Sequence, residues 1–95
     1  MKNTYVECLK KESIIKVEGR EGSYSVIDDY HGYVMLEHNT YGEEDILVAK
    51  ASDFIWKEYT NRKTGEKVNR PFFRQVDTYS TYDDIETTLY DWNLI

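Results

Sequence analysis

Ninety-five residues, 40% of them hydrophobic and only one a proline, describe one folded domain, too short to fill a second core. Cys8 is the only cysteine, so no intrachain disulfide can staple the fold. No stretch approaches the ~18–20 apolar residues of a membrane span, and the opening MKNTYVECLKK holds no apolar run of signal-peptide type, so the expectation is a cytoplasmic protein that makes no membrane contact.

The net charge of -6 is unevenly placed. Residues 1–50 hold six basic and ten acidic side chains. From Lys57 to Arg74 there are six basic side chains against Glu58 and Glu66, and beyond Arg74 come Asp77, Asp83, Asp84, Glu86 and Asp91 with no basic residue. Two patches of opposite sign either meet different partners or fold against each other and cancel.

The first dozen residues read two ways. Thr4 with Glu7 forms a candidate capping box, with Tyr5 and Leu9 on one helical face; an extended lead-in is equally open. Residues 13–19, SIIKVEG, alternate as a strand, and Gly19–Gly22 make a tight connection. SYSVID is a second strand with Tyr24 and Val26 on one face, and DDYHG is a turn in which Gly32 takes a positive φ. YVMLEH, the loop NTYGEED and ILVAK follow as strand, loop and strand. Short strands joined by glycine-containing turns predict an antiparallel meander, because no helix-length segment separates them.

DFIWKEY alternates as a strand, with a helical turn at ASDF, capped by Ser52, as the alternative. TNRKTGEK is a hairpin loop around Gly65. Pro71 is placed at the start of an edge strand, FFRQV, since it cannot donate to a ladder. The clearest helix spans about 81–92, where Tyr82, Ile85, Leu89 and Trp92 share one face; Ser80 with Asp83, or Thr81 with Asp84, supplies its cap. The predicted domain has a β core over about 14–76 and this C-terminal α-helix: mainly β, a small strongly curved antiparallel sheet or barrel of about five strands.

The strand-turn rhythm of residues 14–50, KVEGREGSYSVIDDYHGYVMLEHNTYGEEDILVAK within it, resembles that of small SH3-like barrel proteins, including short accessory proteins of phage or plasmid type. The resemblance implies a barrel and brings no site residue with it.

Candidates for chemistry are sparse. His31 and His38 lack recognised metal-ligand spacing, even with Asp28, Asp29, Glu37 and Cys8 as co-ligands. Asp28–Asp29 and Glu43–Asp45 fall in predicted loops, where carboxylates are solvated. GREG lacks the spacing of a phosphate-binding loop. No cofactor, metal or catalytic residue is expected, and the first expectation is a non-enzymatic protein-binding module, its partner another protein or a second copy of itself. A second is nucleic-acid binding through Lys57, Arg62, Lys63, Lys67, Arg70 and Arg74, with Trp56, Tyr59, Phe72 and Phe73 interleaved as stacking platforms. A third is a phosphate-mimicking acidic face of Asp77, Asp83, Asp84, Glu86 and Asp91 that inhibits a nucleic-acid enzyme.

Overall fold

The computed structural model describes residues 3–76, 78–80 and 84–95. Helix α1 (Thr4–Lys10) opens the chain, followed by strands β1 (Lys16–Val17), β2 (Tyr24–Tyr30), β3 (Tyr33–His38) and β4 (Gly42–Lys50). A single 3-10 turn (Ala51–Asp53) leads into β5 (Ile55–Thr60), β6 (Lys67–Phe73) and β7 (Thr78–Ser80), and helix α2 (Ile85–Asp91) closes the fold.

The strands divide between two separate sheets, ordered β1-β6-β5 and β2-β3-β4-β7. Neither closes into a barrel nor curves strongly. This corrects both the single curved sheet of about five strands and the SH3-like barrel. The meander survives only as the hairpins β2–β3 and β3–β4. Strand β1 leaves it and pairs in parallel with β6, Lys16 opposite Phe72 and Val17 opposite Phe73, while an isolated bridge from Ile15 to Tyr24 links the sheets.

The larger sheet is apolar on both sides. One face supplies Tyr24, Val34, Leu36, Leu47 and Ala49 to a cluster with Val6, Leu9, Val17 and Phe73. The other supplies Met35 and Val48 to a cluster with Ile85 and Leu89 of α2. Extents of 45 × 31 × 19 Å suit such a layered slab, since packed sheets lie about 10 Å apart.

Local chemistry explains several boundaries. Asn3, not Thr4, caps α1, accepting from the amides of Tyr5 and Val6. Its buried face is Val6 and Leu9, whereas Tyr5 is exposed. Strand β2 runs through Asp28–Tyr30, where a turn was expected, and the turn is His31–Gly32 alone. Both have positive φ (51° and 82°), the pattern of a two-residue hairpin loop. A bulge between Val26 and Asp28 switches the strand's parity, so Val26 meets the first cluster and Tyr30 faces α2. There the Tyr30 hydroxyl donates to Glu86 Oε1 at 3.0 Å, and that bond raises its pKa.

The 3-10 turn matches the alternative at ASDF, but Lys50 occupies the cap position and makes no side-chain bond. Pro71 lies inside β6, the central strand of its sheet, not at the start of an edge strand. It is tolerated because β1 pairs only with Phe72 and Phe73, so no β1 residue pairs with Pro71 across the ladder.

Helix α2 begins after Asp84, whose carboxylate accepts from the Thr87 amide at 2.8 Å, a bond that holds its pKa below the usual range. Tyr82 and residues 81 and 83 lie outside the described residues, and Ser80 belongs to β7. Ile85 and Leu89 are buried as the apolar stripe required, but Trp92 is 44% exposed. The helix stops at Asp91, Asn93 reverses the chain at φ 56°, and the Leu94 amide returns to the Leu89 carbonyl at 2.9 Å. That reversal is a Schellman-type end, and it puts Leu94 rather than Trp92 against the cluster.

Candidate functional site

Histidines, carboxylates and the cysteine are occupied structurally or stand apart. His38 is buried; its Nδ1 accepts from the amides of Thr40 and Tyr41 at 3.0 and 3.1 Å, and its Nε2 lies 2.8 Å from the Glu21 carbonyl. Two amide donors on Nδ1 make Nε2 the protonated nitrogen of a neutral ring. Gly22 permits this: a Cβ there would come within 2.5 Å of Nε2, and its φ is 80°. His31 is exposed in its turn, against the Tyr30 ring. Asp45 accepts from Arg20 at 3.1 Å and from the Tyr24 hydroxyl at 2.7 Å; burial first, then this bond, pushes the Tyr24 phenol up to about 12. Asp29 pairs with Lys10 at 2.6 Å. Cys8 is half-buried on α1. Among the described residues no three potential metal ligands converge, and no helix is long and apolar enough to cross a membrane.

Among the described residues, α2 and the β5–β6 hairpin lie on opposite sides of the larger sheet. Helix α2 packs on one face, while the three-stranded sheet contributes to the cluster on the other. Of the acidic candidates, Asp77 and Asp83 lie outside the described residues, Asp84 caps α2, Glu86 accepts from Tyr30, and Asp91 is exposed at the helix end.

The basic segment forms the β5–β6 hairpin, and its alternation scatters the cations. Residues paired across an antiparallel ladder share a face. Ile55, Lys57 and Tyr59 therefore lie with Phe72, Arg70 and Val68 on one face, and Trp56, Glu58 and Thr60 with Pro71, Asn69 and Lys67 on the other. Lys57 and Arg70 stand side by side, while Lys67 is on the far face, 3.6 Å from Glu58. Arg62 and Lys63 occupy the hairpin tip, and Arg74 follows the strand. Of the rings named as stacking platforms, Phe73 is fully buried and Phe72 is 7% exposed beneath Lys57, whose Nζ lies 4.4 Å from its centroid. Tyr59 is half-buried, which raises its pKa, and Trp56 is 49% exposed on the face away from Lys57 and Arg70.

Three features converge on β5. It is an edge strand, all of its residues but Tyr59 are exposed, and it carries Ile55 and Trp56, 40% and 49% exposed. Its free hydrogen-bonding groups can be assigned. The Phe73 carbonyl accepts from Glu18 at 2.9 Å, so Phe73, and by alternation Pro71, turn their polar groups toward β1. Phe72, Arg70 and Val68 then face β5, and their partners Ile55, Lys57 and Tyr59 face β6. The next pair obeys the same register, with the Asn61 amide donating to the Glu66 carbonyl at 2.8 Å. Trp56, Glu58 and Thr60 are left with their backbone N–H and C=O groups along the outer edge. Across the face that bears Lys57 and Tyr59, between β5 and β1, a shallow cleft of about 270 Å³ is lined by Lys16, Glu18, Arg20, Lys57, Tyr59 and Phe72.

The sequence names the cations and Trp56 but puts the edge at FFRQV, whereas the structure makes that strand central and β5 the edge. Its signal was the position of Pro71, which sets the register of outward-facing groups once β1 is known to lie beyond it.

Comparison with family models, with curated proteins and with solved structures returned no match. The likeness to SH3-like barrel accessory proteins of phage or plasmid type thus finds no support in sequence, and the two open sheets remove its structural basis.

Proposed function

We propose that this domain is a non-enzymatic, cytoplasmic protein-binding module that engages its partner by strand addition at β5. The observation that carries the reading is the outer edge of β5, with which no strand pairs among the described residues, and where Trp56, itself exposed, Glu58 and Thr60 present both backbone donors and acceptors. An edge of this kind is a template for another chain unless it is blocked, and tryptophan is a favoured anchor at interfaces. Lys57 and Glu58 supply some protection against indiscriminate pairing.

Nucleic-acid binding is the weaker reading. A phosphate-tracking surface needs cations along one groove with rings between them. Here Lys57 and Arg70 are separated from Lys67 and Trp56 by the thickness of the sheet, and two of the rings are buried.

The test compares three proteins as bait in cell extract: the native chain, Glu58→Pro and Trp56→Ser. Proline at Glu58 removes an outward N–H without touching the β5–β6 ladder. A partner recovered at stoichiometric levels by the native chain and lost with both variants, while their melting transitions hold, supports strand addition. Equal recovery by all three sinks it.

A further inference from the structure

Resting on that strand-addition reading, we infer that the partner segment is acidic: an extended stretch with carboxylates at every second position, so that they project over the face bearing Lys57 and Arg70. Lys57 and Arg70 are directly opposite each other in the β5–β6 ladder. Like charges so placed repel. Neither forms an ion pair with a carboxylate among the described residues, whereas Lys10, Arg20 and Lys67 each do. Lys57 and Arg70, side by side without a carboxylate partner among the described residues, share their face with the cleft lined by Lys16, Glu18 and Arg20, and a ligand's negative charge beside the two relieves their repulsion.

Strand geometry turns this into a spacing rule. A chain added to β5 alternates its side chains between the two faces. On one face every second residue lies beside Ile55, Lys57 or Tyr59, where a carboxylate reaches Lys57 and, across the strand, Arg70. On the other face the residues lie beside Trp56, Glu58 and Thr60. There the exposed indole favours an apolar side chain, and Glu58, already beside Lys67, disfavours a second acid. The recognised pattern is therefore acidic and apolar in alternation.

Blocked octapeptides alternating glutamate with valine, lysine with valine and threonine with valine serve as probes, together with a glutamate–valine peptide N-methylated at every residue, which blocks both of its edges, and a deoxythymidine decamer. Binding is followed through the backbone amide signals of the native chain, of Glu58→Pro and of the double variant Lys57→Gln with Arg70→Gln. The expected result is that the glutamate–valine peptide shifts and protects the amides of Trp56, Glu58 and Thr60. The double variant should weaken it about fivefold to tenfold, the loss of two partly exposed charge pairs. N-methylation should abolish binding, which keeps the test intact if Glu58→Pro does not fold. Equal binding of all three unmethylated peptides, lost on N-methylation, leaves strand addition standing and overturns the acidic preference. Failure of every peptide overturns both. Decamer binding that needs Lys57 and Arg70 but ignores Glu58→Pro, without binding of the glutamate–valine peptide, overturns both in favour of nucleic acid.

Discussion

The two sheets of this domain put the same hairpin geometry to different use. In the β3–β4 hairpin, Val34, Leu36, Leu47 and Ala49 are buried on one side and Met35 and Val48 on the other. In the β5–β6 hairpin only Pro71, Phe72 and Phe73 are buried, and from Lys57 to Arg70 both faces meet solvent. The first hairpin is a structural partition between two apolar layers. The second is a ribbon anchored at its root. The difference separates what holds the fold together from what the fold presents.

The comparison breaks most visibly in the partition. Leu36→Ala and Leu89→Ala, on its two sides, should each cost about 2–5 kcal/mol in chemical denaturation. An unmoved transition for Leu89→Ala would mean that α2 is not a stabilising layer. Alkaline titration reaches the same region. Tyr24 has its pKa raised from 10.0 to about 12, so its proton is held in both states below pH 10, and stability falls as the unfolded chain releases it first between pH 10 and about 12. After allowance for solvent screening the loss should be on the order of 1–2 kcal/mol, and Tyr24→Phe should flatten that limb of the profile.

Gly22→Ala should cost about 2 kcal/mol or more, from its positive φ and the contact with His38, read as a lowered melting temperature. The smallest effects should fall on the ribbon: Trp56→Ala and Lys57→Gln should each move stability by less than about 0.5 kcal/mol. A large loss at Trp56 would make the ribbon part of the core after all.

Legibility in the sequence followed the range of the interactions. YVMLEH, the Gly65 loop and the Ile85–Leu89 stripe are local signals, and each appears where expected. The runs Tyr33–Leu36 and Ile46–Ala49 also held a clue to two-sided burial, since four apolar residues in succession point to both faces of a strand. The split into two sheets was illegible because it rests on the parallel β1–β6 pairing, a contact between distant segments that leaves no periodicity. The basic patch misled for a related reason: neighbours in sequence alternate faces in a strand, so Lys57 and Lys67 ended on opposite sides. Trp92 continued the helical spacing past Asp91, but Asn93 took the left-handed conformation and turned the chain first.

The β1–β6 ladder, two residue pairs long, also sets an order of events. Hairpins β2–β3 and β3–β4 close short loops, whereas Lys16 and Val17 must find Phe72 and Phe73 after most of the chain between them has been placed, a costlier closure. The clasp is therefore expected to form late and to open early. The native protein is expected to breathe first at that end, with amides of β5 and β6 exchanging with solvent deuterium ahead of those in β3. An incoming strand that stitches itself to Trp56, Glu58 and Thr60 would extend the same ladder network and slow that breathing, so the domain should become kinetically quieter when its edge is occupied.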